Sequence, residues 1–442
     1  MSDADKFDKL DLEMADVELT TVHGRITQVI GMLIRAKVPQ ATIGDVCVIK
    51  RKGEPLLAQV IGFTQDEAIL SPLGEMNGVS ASSQVIPLRK PLEVGVGPEL
   101  LGRVIDALGN PLDVAEKGPL KTSATYPVLN SPPSALERKI IEEPMATGVR
   151  AIDATLTCGE GQRIGIFAAA GGGKSTLLGM IAKNAEADIN IITLIGERGR
   201  EVREFLVDAL GEEGMARSVI IVSTSDQAAQ LRINAAYLGT AIAEYFRDQG
   251  KRVILMMDSV TRFARAVREV GLAAGEPPAR AGYTPSVFAT LPKLLERSGN
   301  SAKGSITAFY TILVAGDDMN EPVADETRSI LDGHIILSAE LARQFHFPAI
   351  DILSSASRIL TNVIKDRDHL AMIGKLREVL ANYKRNELLI NIGEYKRGTN
   401  RMVDEALDLH EPVNAFLKQG VDEKSSFAES KNGLSLLFRG RR

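Results

Sequence analysis

The sequence predicts an α/β protein whose parallel-sheet core follows a small β-barrel and precedes an α-helical C-terminal domain. Three observations carry that reading. Between Ile164 and about Leu353, short apolar runs alternate with helix-like patterns, as in strands laid parallel and covered by helices on both faces. From Val17 to about Leu92, β-like runs follow one another at close turn spacing, as in a barrel or sandwich. Past Arg358 strand signals fade, and Asp368–Tyr383 and Arg401–Gln419 carry helical periodicity.

In chain order, residues 1–16 are charged and weakly patterned and read as an N-terminal arm. The barrel segment, residues 17–92, contains the runs Gly24–Ile30, Gly44–Ile49, Leu57–Phe63 and Glu67–Ser71. Residues 102–112 and the proline-punctuated stretch to Pro133 read as a linker feeding the central domain, residues 93–362. Its strand candidates are Ile164–Phe167, Ile189–Ile195, Val219–Val222, Val253–Met257, Ser305–Val314 and His334–Leu337. Its most distinct helix candidate is Gln227–Arg247. Val270–Pro278, rich in glycine and proline, is expected to be a mobile segment facing a channel. Residues 363–442 form the helical end.

Composition narrows the function classes. Of 442 residues, 44% are hydrophobic and 25% charged, and tryptophan is absent, which is ordinary for a globular chain. A net charge of -5 gives no global reason to expect nucleic acid. The barrel segment holds a single aromatic, Phe63, where a nucleic-acid barrel needs stacking platforms and basic residues. Cys47 and Cys158 are far apart without metal-ligand spacing and read as buried reduced thiols. No apolar run is long enough to span a bilayer, and residues 1–6 lack an apolar signal core. The expected location is cytoplasmic, at the inner membrane face only through partners.

The chemistry begins at Ala168–Thr176, a glycine-rich turn between an apolar strand and a helix start. Such a loop turns backbone N–H groups toward one anion, and the helix N-terminus adds partial positive charge. Ala169, Ala170, Gly171, Gly172, Gly173, Lys174, Ser175 and Thr176 form the expected cradle. Lys174 is placed to meet the β- and γ-phosphates, and the Ser175 hydroxyl to sit on Mg²⁺. Ala168 stands where the pattern usually opens with glycine. Asp258 closes Val253–Met257, where a strand end sets a carboxylate beside the phosphate loop as a magnesium anchor. Taken alone it is also a solvated acid ending a strand. Glu197 follows the strand Ile191–Ile195 and is the candidate general base for the attacking water. Glu201 lies a helical turn later as an ion-pairing or orienting residue.

These strings, with Ile242–Gly250, Met257–Arg262, Ser329–Ile336, Pro348–Arg358 and Ile392–Tyr395, resemble the catalytic subunits of the rotary ATP synthase superfamily. The resemblance runs from about residue 24 to 395 and is nearest to the ATPases of type III secretion systems, with flagellar export ATPases close by. It implies a RecA-like P-loop core and hydrolysis of ATP with Mg²⁺. It also implies that Glu197 is catalytic, that Arg198 contacts the phosphates and that Arg262 lines their site. Arg358, otherwise an unremarked surface arginine, matches the finger inserted into the next subunit's site. Phe347 falls where an aromatic meets adenine, and a core phenylalanine fits there equally; His346 beside it is structural. Because this chain carries both Glu197 and Arg358, copies of itself can complete sites around a ring, so the resemblance implies a homohexamer. The implied role is to power protein export, releasing chaperones and unfolding substrates. The implied partners are ATP, the export apparatus with its stator or stalk proteins at the cytoplasmic membrane face, and secretion chaperones and substrates, with no nucleic acid. The spelling Phe167–Lys174, three alanines before three glycines, resembles injectisome rather than flagellar P-loops. A Rho-like RNA translocase shares the RecA-like ring, but the aromatic-poor barrel speaks against it.

Overall fold

The fold is seen in a computed structural model that describes residues 23–169, 171–314 and 319–439. The expected arm at residues 1–16 and the loop residue Ala170 lie outside them. The described chain forms two compact units, residues 23–92 with 273–275 and the remainder.

The first unit is a closed six-stranded barrel: β1 (Gly24–Ile30), β2 (Leu33–Lys37), β3 (Asp45–Ile49), β4 (Leu56–Thr64), β5 (Glu67–Pro72) and β6 (Gln84–Pro91). Strand order is β1-β2-β5-β4-β3-β6, and β1 pairs with β6 to close it. Period-two alternation turns Ile34 and Ala36, Cys47 and Ile49, Ala58 and Val60, and Ala68 and Leu70 into one buried cluster. The two strands the sequence reading left out, β2 and β6, are short or mostly exposed and so carry weaker patterns.

The second unit contains β7 (Glu93–Val96), β8 (Val104–Asp106), β9 (Ala124–Pro127), β10 (Arg163–Ala168), β11 (Ile189–Glu197) and β12 (Ser218–Thr224). It continues with β13 (Arg252–Asp258), β14 (Gly299–Asn300), β15 (Ser305–Leu313), β16 (Gly333–Leu337) and β17 (Ala356–Ser357). β7 and β9 pair as a ribbon, and the other nine make one sheet ordered β17-β16-β10-β15-β13-β11-β12-β8, with β14 on β15. Pairing is parallel from β16 through β8; only β14 and β17 pair antiparallel. All nine residues of β11 are buried, as expected of a strand covered on both faces. Ile192 and Leu194 face a cluster with Leu177, Leu178 and Ile181 of the helix Lys174–Asn184. Thr193, between them, faces the other way against Gly239 of the helix Ala229–Asp248, where a Cβ would come within 2.1 Å of its hydroxyl. Glycine there sets the distance between helix and sheet.

Three corrections follow. The expected linker contributes β8, held at the sheet edge where buried Asp113 accepts hydrogen bonds from the Arg103 guanidinium at 2.7–3.0 Å and from the Val104 amide at 3.0 Å. Residues 270–273 of the expected mobile segment close the helix Val260–Ala273. The C-terminal region has a third helix, Phe427–Leu437, beyond Arg367–Asn391 and Arg401–Leu417. Its start was legible in Ser426 and Glu429, which form a capping box. Cys47 and Cys158 are buried and free, and burial raises both thiols above their ordinary range.

Arg297 and Glu244 pair under the sheet with about 1% and 0% of their side chains exposed, at 2.6 and 2.8 Å, and Arg297 also donates to the Val128 carbonyl at 2.9 Å. Removing one partner strands the other's charge in a dry site. Glu244→Leu is expected to cost about 3–5 kcal/mol of unfolding free energy, and Glu244→Leu with Arg297→Met much less, as read by denaturant titration.

Candidate active site

Three parallel strand ends build the site. β10 runs into residues 169–173, and the helix Lys174–Asn184 begins at Gly173 with no side-chain cap and no acidic residue in its first turn. Its first amides are therefore available to an anion. Gly171 and Gly173 sit at φ +80°, a left-handed conformation that costs glycine nothing. That left-handed backbone conformation is what requires glycine at Gly171. The Gly172 amide donates to the Ala169 carbonyl at 3.2 Å.

Lys174 reaches across the strand ends. Its Nζ donates to Asp258 Oδ1 and lies 3.5 Å from Glu197 Oε1. Asp258 closes β13, and its Oδ1 also accepts from the Thr311 hydroxyl on β15 at 2.8 Å. Glu197 closes β11, and Arg262 holds it from the other side, with Nη2 at 3.4 Å from Oε2 and Nη1 on the Gly196 carbonyl. Gly196 has φ +67°, and a Cβ there would lie 2.9 Å from the Arg262 side chain. The glycine of Gly196-Glu197-Arg198 thus makes room for the arginine that secures the glutamate.

Burial, and next the negative charge of Asp258, push the Glu197 carboxyl up to about 7 against the pull of Lys174 and Arg262. Its Oε1 is buried without a hydrogen-bond partner among the described residues. Glu201 shares a hydrogen bond with Glu197 that holds the Glu201 carboxyl below its ordinary value. A carboxylate that gains and loses its proton near neutrality suits proton transfer from water.

The remaining expected residues divide. Ser175 is exposed on the helix's first turn beside half-buried Thr176. Phe347 flanks the loop, its ring 3.6 Å from where a Gly173 Cβ would be, and is 38% exposed. His346 is buried, and that burial lowers its imidazole to about 4. Arg198 is 74% exposed, 3.4 Å from Glu201, and is not drawn in with Lys174, Glu197 and Asp258. Arg358 is likewise apart, exposed just beyond edge strand β17 and donating to the carbonyls of Ser329 at 3.2 Å and Arg328 at 3.0 Å.

Two contributors escaped the sequence reading. Thr311 was legible only as a hydroxyl inside the otherwise apolar end of β15. Gln419 ties residues distant in sequence to the loop's flank: its amide N–H donates to the Phe347 carbonyl at 2.9 Å, its side chain donates to the Gly148 carbonyl at 2.9 Å, and it accepts from the Arg150 amide at 2.7 Å. A lone glutamine after a helix carries no local signal of such a role.

Among the described residues no group of three or more His, Cys, Asp and Glu side chains could hold a metal. Exposed Ser175 and buried Asp258 offer two hard oxygen donors at the mouth of the phosphate cradle, which fits Mg²⁺ carried mainly by a nucleotide's phosphates.

Family comparison accounts for most of the chain. Residues 148–357 match the ATP synthase alpha/beta family nucleotide-binding domain, and residues 26–89 that family's beta-barrel domain. Residues 365–435 match the T3SS EscN ATPase C-terminal domain. The chain is 50% identical over 430 residues to a type 3 secretion system ATPase of Xanthomonas euvesicatoria, covering 97% of this chain and 96% of that one. It is 53% identical over 420 residues to the flagellum-specific ATP synthase of Bacillus subtilis, covering 94% and 95%. Among solved structures, the assembled ATPase EscN in complex with its central stalk EscO, from the enteropathogenic E. coli type III secretion system, is 46% identical with a TM-score of 0.86, covering 94% of this chain and 99% of that one.

Glu197 supplies a pH test. Its folded-state value lies above the ordinary 4.5, so the folded protein favours the protonated form, and that stabilisation is lost as pH rises through about 7. Glu197→Gln removes the buried charge. The variant is expected to melt above the wild type at pH 8, with the gap closing toward pH 5; a gap independent of pH would contradict the raised value.

Proposed function

As a member of the ATP synthase alpha/beta family, in the group that holds type 3 secretion system ATPases and flagellum-specific ATP synthases, this chain is an ATPase of type III protein export, and we propose that its hydrolytic site is shared between neighbouring copies in a homohexamer. One observation carries the proposal. Lys174, Glu197, Asp258 and Arg262 converge within one chain, while Arg358 stands exposed beyond the far edge strand, its guanidinium donating to the backbone carbonyls of Ser329 and Arg328. An arginine so placed is able to serve a site on another copy.

The proposed steps use residues already in contact. When the triphosphate enters, the amides of Gly171–Thr176 take its oxygens, and Lys174 exchanges two carboxylates for the β- and γ-phosphates. Phe347 offers its exposed face to the adenine. Ser175, with Asp258 through water, would hold Mg²⁺, which neutralises charge on the phosphates when bound. Glu197, held by Arg262, accepts a proton as the water oxygen bonds to the γ-phosphorus and the bond from phosphorus to the β–γ bridging oxygen breaks, leaving ADP and phosphate. Arg358 of the next copy neutralises the charge growing on the transferred group. Arg198 takes part only if its side chain swings inward from Glu201.

The EscN complex contains a central stalk, and the same arrangement is proposed here, with the ring seated at the cytoplasmic face of the membrane by the export apparatus. No helix among the described residues is long and apolar enough to cross a membrane, which supports attachment through partners. Secretion chaperones and their substrates are the proposed clients. Identity to secretion and flagellar relatives is alike, so the secretion branch rests on the alanine-rich spelling of residues 167–174.

Arg358→Ala is expected to lower the turnover of assembled protein by ~10³–10⁵ while nucleotide affinity stays within a few fold, and to stop type III export in cells. Wild-type turnover in the variant, or equal turnover per chain in wild-type monomer and assembly, would refute the shared site.

A further inference from the structure

Behind Glu197 lies a cavity of about 150 Å³ lined by Gly196, Ser225, Arg232, Arg262, Arg265, Arg268 and Glu269. One water needs roughly 10–15 Å³ on this measure, so a multi-atom ion fits. Four guanidinium groups and one carboxylate form its wall. Arg262, Arg265 and Arg268 recur every third residue on one face of the helix Val260–Ala273, a spacing at which like charges repel. Glu269 is already engaged by Arg232 at 2.6 and 3.3 Å. Arg268 lies over the Tyr283 ring at 5.2 Å, and Arg265 shares a hydrogen bond with the Tyr283 hydroxyl, near Glu321 at 3.4 Å. The Arg262 Nε is buried with no partner among the described residues. Positive charge therefore exceeds the carboxylates that face it.

The cavity is joined to the hydrolytic site by two shared walls. Arg262 bonds Glu197 and the Gly196 carbonyl on one side and lines the cavity on the other. The Ser225 amide donates to the Glu197 carbonyl at 3.1 Å, so Ser225 moves with the same strand end. We infer that this arginine-walled cavity is a second oxyanion site, separate from the phosphate loop, that receives inorganic phosphate after it leaves Glu197. The inference rests on the reading that Glu197 marks the place of hydrolysis. Arg265 and Arg268 meet the ion there, Arg232 is held ready by Glu269, and Arg262 touches both stations.

The test is calorimetric titration of inorganic phosphate into the full chain loaded with Mg²⁺ and a non-hydrolysable ATP analogue, which fills the γ-phosphate place. Saturable phosphate binding is expected. Arg265→Gln with Arg268→Gln should weaken it at least about tenfold, since each lost charged hydrogen bond approaches that factor, with analogue affinity unchanged. Glu269→Gln should tighten it. If the analogue abolishes phosphate binding to the wild type, the ion belongs to the phosphate loop and the proposal falls. It falls equally if the double variant holds both analogue and phosphate as the wild type does, or if it loses assembly while phosphate affinity is unchanged. Should the double variant fail to hold the analogue, an unchanged phosphate affinity in Glu269→Gln overturns the proposal. Binding is read without turnover, so an inactive protein would refute hydrolysis and leave this test standing.

Discussion

The site depends on one largely enclosed cation between two carboxylates. Lys174 leaves a phosphate-loop helix to meet Asp258 and Glu197 at the ends of β13 and β11. Two carboxylates cannot both stay ionised so close together in a dry site without a compensating charge. The lysine opposes the rise, yet burial first, and the charge of Asp258 next, still push the Glu197 carboxyl up to about 7. A triphosphate that draws Lys174 away brings negative charge of its own, so binding and the proton affinity of Glu197 are coupled through one side chain. Parallel strand order makes this possible, because β10, β15, β13 and β11 lie side by side with their carboxyl ends on one edge, where ligands of open α/β sheets bind.

Much of this was legible from spacing. Strands buried on both faces write continuous apolar runs, so β10, β11, β12, β13, β15 and β16 were located within one or two residues. The acids that close β11 and β13 interrupt those runs and are conspicuous for that reason. The less legible parts lack local pattern. β8 is three residues in a proline-rich stretch, and its place is fixed by Arg103 and Asp113 pairing across ten residues. Thr311 and Gln419 act through partners far away in sequence. Of the arginines at 262, 265 and 268, only Arg262 stood out in the sequence, and the fold sets Ser225 and Gly196 beside the whole row.

The same chain separates its chemistry into places with different duties. In the proposed mechanism the phosphate loop and its lysine bind, Glu197 takes the proton, and the arginine-walled cavity beside Arg262 receives the product. Arg358 stands apart from these at the sheet edge, and in the proposed shared site that position makes assembly part of the mechanism. Under that proposal, hydrolysis that waits for a neighbouring copy would not run freely in unassembled protein.

The most direct test of the shared site is complementation in mixed rings. Glu197→Gln chains keep a finger and lack the base, whereas Arg358→Ala chains keep the base and lack the finger. Each alone should be nearly inert. Co-assembled, they place Arg358 of one beside Glu197 of the other, and ATPase activity should reappear with a maximum near equal proportions. Mixed rings as inactive as either parent, with co-assembly verified, would contradict a site built from two copies.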